Sequence, residues 1–525
     1  MNPVYDAVVL GGGHNGLVAA AYLARAGQRV LVLERLGHVG GAAVSVHAFD
    51  GVQARLSRYS YLVSLLPDRI IDDLHLRIRL ARRRYSSYTP DPADTSRGLL
   101  IGPPDTFAAI GAADDQTRFA DFGHRCRMVA QRLWPTLTAP LPTRSAVDRT
   151  MAESAGDVAA FWRSLSTRPI GQTIREAVHS DLVRGVLATD ALIGTFAGLD
   201  DPSLVQNVCL LYHVLGGGTG QWQVPVGGMG AVTGAMSAAA TGYGAEIRTG
   251  AEVYAVDPDG EVRYREGGTA HRVHGRVILA NVTPATLDTL VGAPARTPAA
   301  GSQVKVNMML SRLPRLRDTG VTAEQAFAGT FHVNETFSQL ESARVSADQG
   351  RLPDPLPVET YCHSLADPTI LSDALRAAGA HTMTVFGLHT PHRLITSADP
   401  DRIRDRLTSS VLASLNSVLA EPIQDVVMLD SAGRPCIETQ TTADLEATLA
   451  MTAGNIFHGA LQWPFAEDDD PLDTPARRWG VSTDYDRILL CGSGARRGGA
   501  VSGIGGHNAA MAVLQSRTRA HADPR

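Results

Sequence analysis

Six consecutive residues near the N-terminus, Gly11-Gly12-Gly13-His14-Asn15-Gly16, place glycine at the first, third and sixth positions. That spacing suits a phosphate-bearing ligand. Gly11 permits a tight turn out of a strand. Gly13 lets the backbone approach a pyrophosphate with no Cβ in the way, and Gly16 lets the next helix pack close to the strand. His14 and Asn15 lie inside the loop, within reach of the same phosphates. Glu34 stands eighteen residues beyond Gly16. A carboxylate there accepts hydrogen bonds from both ribose hydroxyls of an adenosine and repels a 2′-phosphate.

These residues work only if regular elements hold them in register. Ala7-Val8-Val9-Leu10 is an apolar run with strand character, an alanine-rich helical stretch spans 17–25, and Val30-Leu31-Val32-Leu33 is a second apolar run ending at Glu34. Strand, glycine loop, helix, strand and acid form a dinucleotide-binding βαβ unit. The helix N-terminus turns free N–H groups and a partial positive charge toward the phosphates.

The motif alone fits FAD or NAD, and two further stretches favour FAD. Arg35 follows the acid and leads to His38-Val39-Gly40-Gly41-Ala42-Ala43. Gly41 and Ala42 there bring the chain close to a pyrophosphate and ribityl region, as in glutathione-reductase-type FAD domains. At the far end, the apolar run Ile488–Leu490 enters Gly492-Ser493-Gly494, and a loop containing Gly498, Gly499, Gly503, Gly505 and Gly506 leads to a helix over 508–514. This arrangement aims a helix N-terminus at the N1/C2 carbonyl edge of a flavin. It assigns Gly494, Gly505, His507 and Asn508 to the cofactor.

Composition narrows the class. A chain of 525 residues exceeds one simple core. Its hydrophobic fraction of 44% and charged fraction of 19% are ordinary for a globular protein. A net charge of −5 gives no support for a nucleic-acid partner. No apolar run approaches the roughly 18 residues of a membrane helix. The first strand begins almost at once, so the expectation is a cytoplasmic protein without a cleavable signal. The arginines at 77, 79, 82, 83 and 84 form a basic run suited to peripheral contact with anionic lipid. Five scattered cysteines (126, 209, 362, 436, 491) form no C-x-x-C pair, which excludes the usual disulfide-reductase dyad and gives no zinc signature; no metal ligand is assigned.

The elements predict an α/β fold: a glutathione-reductase-type Rossmann FAD domain, discontinuous in sequence, with an α+β substrate domain. The FAD domain takes 1–75, 225–290 and 451–525; the substrate domain takes 76–224 and 291–450. Helical periodicity marks 118–134 and 171–189, and proline-rich turns mark 89–104 and 134–142. Val224-Pro225-Val226-Gly227-Gly228-Met229-Gly230 opens a helix over 231–240. A strand at 251–256 brings the backbone of Val253 to an adenine edge, with a hairpin partner at 262–264. A strand over 276–281 ends with Ala280 and Asn281 near the pyrophosphate. In 304–310, Val304, Val306, Met308 and Leu310 share one strand face, while Lys305, Asn307 and Met309 share the other.

The whole chain resembles the phytoene desaturase-like branch of the FAD-dependent amine-oxidase superfamily. Within that branch it resembles the pyridine nucleotide-disulfide oxidoreductase domain-containing family. The stretches that carry this are DAVVLGGGHNGLVAAAYLARAG, LERLGHVGGAA, SRYSYLVSLL, VPVGGMGAV, SQVKVNMMLSRLP, GNIFHG and GGAVSGIGGHNAA. The resemblance implies noncovalent FAD and oxidoreductase activity, with no disulfide dyad despite the family's name. It also implies a role for Lys305, because amine oxidases of the superfamily hold a water near flavin N5 with a lysine on the corresponding strand.

Chemistry beyond the flavin needs few residues, since the ring itself accepts hydride. Lys305 and His458 are the catalytic candidates, His458 standing over the ring from Gly454-Asn455-Ile456-Phe457-His458-Gly459. Arg58, Tyr59 and Tyr61 line the substrate face. The reading is an FAD-dependent dehydrogenase that removes hydride from a C–H bond of a hydrophobic substrate, of isoprenoid or polyene type. Amine oxidation, flavin-dependent isomerisation and an idle FAD-binding scaffold are the alternatives.

Overall fold

The computed structural model describes residues 3–154, 156–294, 296–396 and 399–522. Two seven-stranded sheets organise it. The first runs Ala251–Val256, Glu261–Glu266, Thr269–Ala280, Val4–Leu10, Val30–Glu34, Glu246–Thr249, with Ile488–Leu490 on the end of Thr269–Ala280. Strands Val4–Leu10, Val30–Glu34, Glu246–Thr249, Thr269–Ala280 and Ile488–Leu490 pair in parallel; the hairpin over 251–266 is antiparallel. Parallel strands are covered on both faces, so Val30–Glu34 is buried throughout.

Register decides where a ligand sits. Leu10 pairs with Leu33 on one side and Ala280 on the other, and Ala280 pairs with Leu490. Gly11, Glu34, Asn281 and Cys491 therefore leave the sheet at one level, along its carboxyl edge, where open α/β sheets bind ligands. The helix His14–Arg25 packs on the sheet through an unbroken buried run from Asn15 to Ala24. The C-terminal helix Ile504–Ala522 lies against it at backbone distance. A Cβ on Gly506 would stand 2.0 Å from the Asn15 carbonyl oxygen.

The second sheet is largely antiparallel and runs Ile437–Gln440, Gln303–Leu310, His381–Leu388, Val358–Tyr361, Thr330–Val333, Ser87–Pro90, Gly98–Ile101. The last two strands form a hairpin that overlaps the stretch 89–104 expected as proline-rich turns. Every residue of Gln303–Leu310 is buried. Val304, Val306, Met308 and Leu310 join one apolar core, as the alternation predicts. The polar face is covered too, by the segment 57–60.

A helical lobe covers the far end of this sheet. Its members include Ala113–Leu133, Val158–Thr167, Ile170–Ala177, Asp181–Ala188 and Val205–Leu215, which share one apolar core. The single helical period expected over 171–189 is two helices. The buried Asp115 carboxylate accepts the N–H groups of His179 and Ser180, satisfying the second helix's entry and fixing the break.

Candidate functional site

A cavity of about 490 Å³ lies between the two sheets, within the range of small-molecule and cofactor sites. One end is bounded by Glu34, Arg35 and Val253, the middle by Gly11, Gly13, Gly41 and Ala42, and the other end by Lys305, Tyr61 and Phe386.

Glu34 is nearly buried at 7% exposure, yet it is well supplied with donors. Gly12 N–H donates to Oε2 and Leu36 N–H to Oε1, both at 2.7 Å. Each oxygen keeps a lone pair, so the carboxylate still accepts a vicinal diol. The glycine loop is braced by the chain after Glu34: Gly40 N–H donates to Gly12 O at 2.9 Å, and Gly13 bridges Gly40. Gly11 has φ +100°, a conformation glycine adopts without strain. Asn281 closes the loop from the neighbouring strand, its Nδ2 donating to Gly11 O at 2.9 Å. A backbone-lined wall beside a diol-accepting carboxylate fits the pyrophosphate and ribose of an adenine dinucleotide.

Other expected residues stand behind this wall. Asn15 and Gly16 form the first turn of the helix. Asn15 reaches Ser493 Oγ at 3.5 Å, and its Oδ1 is buried without a partner. Gly16 is pinned, since a Cβ would meet Gly11 O at 2.3 Å. Ala280 is fully buried inside the sheet and does not line the cavity. Arg35 lines the cavity and donates to Thr448 O at 2.6 Å, tying down the opposite rim.

The C-terminal glycines behave differently from the sequence expectation. Gly505 faces the Cys491 and Gly492 carbonyls, where a Cβ would stand 2.8 and 2.6 Å away. Gly494 packs on Pro284 and on His458 Cβ. His507 sits between Tyr22 and Trp479, its Nδ1 donating to Asn508 Oδ1 at 2.8 Å, and Asn508 donates on to Leu137 O. None of these four residues lines the cavity; each packs against neighbouring protein atoms. Ser493, Ala500 and Val501 supply the wall instead.

Lys305 lines the cavity, but its ammonium is fully engaged. Nζ donates to the carbonyls of Ser57, Tyr59 and Ser60 at 2.7, 3.0 and 3.2 Å, 5.3 Å above the Phe386 ring centroid. Three N–H groups meet three acceptors, which leaves none for a water. Burial pulls its pKa down to about 7, while acceptors that take only N–H protons favour the charged form. Next along the strand, Asn307 donates to Arg58 O at 3.0 Å, and Arg58 pairs with Glu438 at 2.6 Å. Arg58 is thus held at the strap's edge and does not line the cavity, whereas Tyr59 and Tyr61 do.

His458 and His14 both line the cavity and stand close enough to interact. His14 Nε2 donates to Ala500 O at 3.0 Å. His458 adopts φ +63° and has a buried Nδ1 without a hydrogen-bond partner. Burial, joined for His14 by the neighbouring His458, lowers both to about 4, so both are neutral near pH 7.

A smaller cavity of about 220 Å³ shares Tyr61, Leu62, Ile193, His213 and Trp222 with the main one. Beyond its wall lie Glu335 and Glu359, both 1% exposed. Burial, then the charge of Asp190, raises Glu359 to about 7; burial, then Glu359, raises Glu335. The sequence reading passed over them because isolated acids on unrelated strands give no local pattern.

A family model for an NAD(P)-binding Rossmann-like domain matches residues 9–67. An uncharacterized protein of Mycobacterium tuberculosis is 64% identical over 520 residues, covering 97% of each chain. Pyridine nucleotide-disulfide oxidoreductase domain-containing protein 2 of Rattus norvegicus is 30% identical over 570 residues, covering 98% of this chain and 94% of its own. Among solved structures, putrescine oxidase bound to putrescine covers 99% of both chains at a TM-score of 0.58 and 16% identity. Cyclohexylamine oxidase of Brevibacterium oxydans covers 98% of this chain and all of its own at 0.57 and 15%. The chain has the fold of those oxidases, and by its full-length similarity it belongs to the pyridine nucleotide-disulfide oxidoreductase domain-containing protein 2 family.

Proposed function

We propose that the chain holds FAD noncovalently in the main cavity and oxidises a hydrophobic substrate by removing hydride from a C–H bond. One observation carries this reading: a single cavity joins the Glu34 carboxylate to the aromatic end at Tyr61 and Phe386, through a wall of glycine backbone. Residues 1–75, 225–290 and 451–525 form the cofactor unit in this reading, and 76–224 with 291–450 the substrate unit.

Bound flavin supplies the hydride acceptor. The protein's own residues bind, orient and exclude water. Glu34 accepts the ribose hydroxyls, and the N–H groups opening the helix at His14 favour the phosphate charge. Leu62, Ile193, Trp222, Ile456, Phe457 and Phe386 make the far end apolar, so a C–H bond is presented without competing water. Neutral His14 and His458 add polarity to the lining without a fixed charge.

Amine oxidation is the second reading, supported by the fold shared with putrescine and cyclohexylamine oxidases. The role it implied for Lys305 needs a free N–H, and all three are bonded to backbone. The apolar lining favours the hydrophobic substrate. Exposed Arg77, Arg79, Arg82 and Arg84 support delivery of such a substrate from an anionic membrane surface, while Arg83 turns inward to Trp222 O and Thr330. Among the described residues no helix is long and apolar enough to cross a membrane.

The test is the visible spectrum of the purified protein, repeated on the supernatant after acid precipitation. FAD in the supernatant is the expected result. A protein that is colourless and takes up no added FAD refutes the reading. Anaerobic bleaching by apolar alkenes rather than by amines then separates the two substrate classes.

A further inference from the structure

Behind the small cavity, His332, Glu335 and Glu359 each present one ligand-type atom, and the three atoms lie within 4.8 Å of one another. Local structure brings them together. His332 belongs to strand Thr330–Val333, Glu335 follows its end, and Glu359 lies on the adjacent strand Val358–Tyr361, paired with His332. Gly185 lets the helix Asp181–Ala188 touch this corner, since a Cβ there would stand 1.9 Å from Glu335 O. That contact brings Thr189 between the two acids.

The hydrogen bonds do not satisfy this group. Thr189 has one hydroxyl proton but lies 3.0 Å from Glu335 Oε2 and 2.7 Å from Glu359 Oε1. Tyr361 serves the other Glu359 oxygen at 2.7 Å. Glu335 Oε1 is buried with no partner at all. His332 Nδ1 is 3.0 Å from Thr89 Oγ1, which can fix the tautomer and leave Nε2 as a free acceptor; among the described residues Nε2 has no hydrogen-bond partner. Asp190 adds a third acid beside the pair, and Arg83 is the cation facing them.

We propose that His332, Glu335 and Glu359 bind a divalent transition-metal ion, with Thr89 orienting the imidazole from behind. One nitrogen and two carboxylate ligands suit Zn²⁺ or Mn²⁺ at about 2.0–2.2 Å, and suit Mg²⁺ or Ca²⁺ less well. Metal-bound histidines are held through their far ring nitrogen, and Thr89 Oγ1 stands at that nitrogen here. The ion closes the carboxylate–tyrosine corner that forms the wall of the small cavity. This inference is independent of what the main cavity binds.

The test uses the full-length, tag-free protein, dialysed against chelator and then titrated with Zn²⁺ or with Mn²⁺. About one ion per chain is expected, and the Mn²⁺ form should show a nitrogen coupling by pulsed electron paramagnetic resonance. Both E335Q and H332A should weaken uptake at least roughly tenfold, and T89V, which keeps every ligand, by roughly tenfold. Wild-type protein that takes up neither ion overturns the proposal, as does uptake unchanged by E335Q and H332A. Wild-type binding with no nitrogen coupling overturns it as well, and that measurement needs no variant to fold.

Discussion

The Glu34 carboxylate accepts the N–H of Gly12 at 2.7 Å, so the acid that would read a ribose also ties the glycine loop to the second strand. Substituting it removes two things together. Glu34→Gln keeps the size and an acceptor but loses charge-assisted bonds, each worth about 1.5–3 kcal/mol. FAD affinity should fall at least about tenfold, read by quenching of flavin fluorescence on titration, with the melting temperature of the cofactor-free protein falling slightly. Unchanged FAD affinity in Glu34→Gln would remove the ribose role.

Lys305 is placed as an anchor for the strap 57–60, and its removal should be felt as stability before chemistry. Lys305→Met leaves three buried carbonyls without their donor, at about 1–3 kcal/mol per orphaned group. A loss of several kcal/mol in denaturant unfolding is expected. The pH dependence has a definite sign. Folding lowers the amine from 10.5 to about 7, so between those values the unfolded chain binds more protons. The lysine's contribution is therefore least favourable below about pH 7 and becomes more favourable as pH rises toward 10.5. Wild type should gain stability relative to Lys305→Met across pH 7–9; a difference that stays flat would show that the ammonium persists, held by its carbonyls.

The parts legible in the sequence are those encoded locally. The glycine spacing, Glu34 and the alternation at 304–310 each state their geometry within a few residues, because a βαβ unit and a strand are short-range objects. Lys305 shows the limit. Its strand and face follow from period two, but its partners lie some 245 residues away, and they turn an expected water-holding amine into a fully bonded one. The same distance hides Glu335 and Glu359, which meet through a hydroxyl at Thr189. The C-terminal glycines were visible as glycines, yet glycine signals both ligand approach and backbone packing, and only the neighbouring helix distinguishes them.

That distinction is testable at Gly506. A Cβ there would meet Asn15 O at 2.0 Å and Ala19 N at 3.0 Å, backbone atoms that cannot swing aside. Gly506→Ala must push the C-terminal helix off the helix His14–Arg25, at a cost of at least about 1–3 kcal/mol. Because the helix it is pushed from carries Asn15 and Gly16, which follow Gly11–Gly13, bound FAD should drop in the same preparation. Thermal unfolding with parallel flavin quantitation checks both, and a variant as stable as wild type would mean the two helices are not in backbone contact.

His14 and His458 set the acid limit of the site. Both are held neutral, near 4 against 6.5 in the unfolded chain, by burial first and, for His14, by the neighbouring imidazole. Between those values the unfolded chain binds the extra protons, so their contribution is present above about pH 6.5 and is lost as pH falls toward 4. Other buried histidines titrate the same way, so the pair is isolated by difference. His458→Asn suits the replacement, since asparagine tolerates the left-handed backbone at φ +63°. It should unfold less steeply with acid than wild type, while His458→Val should lose roughly 1–2 kcal/mol at every pH from backbone strain. Equal acid slopes for wild type and His458→Asn, followed by far-ultraviolet circular dichroism from pH 7 to 4, would mean His458 titrates alike in the folded and unfolded chain.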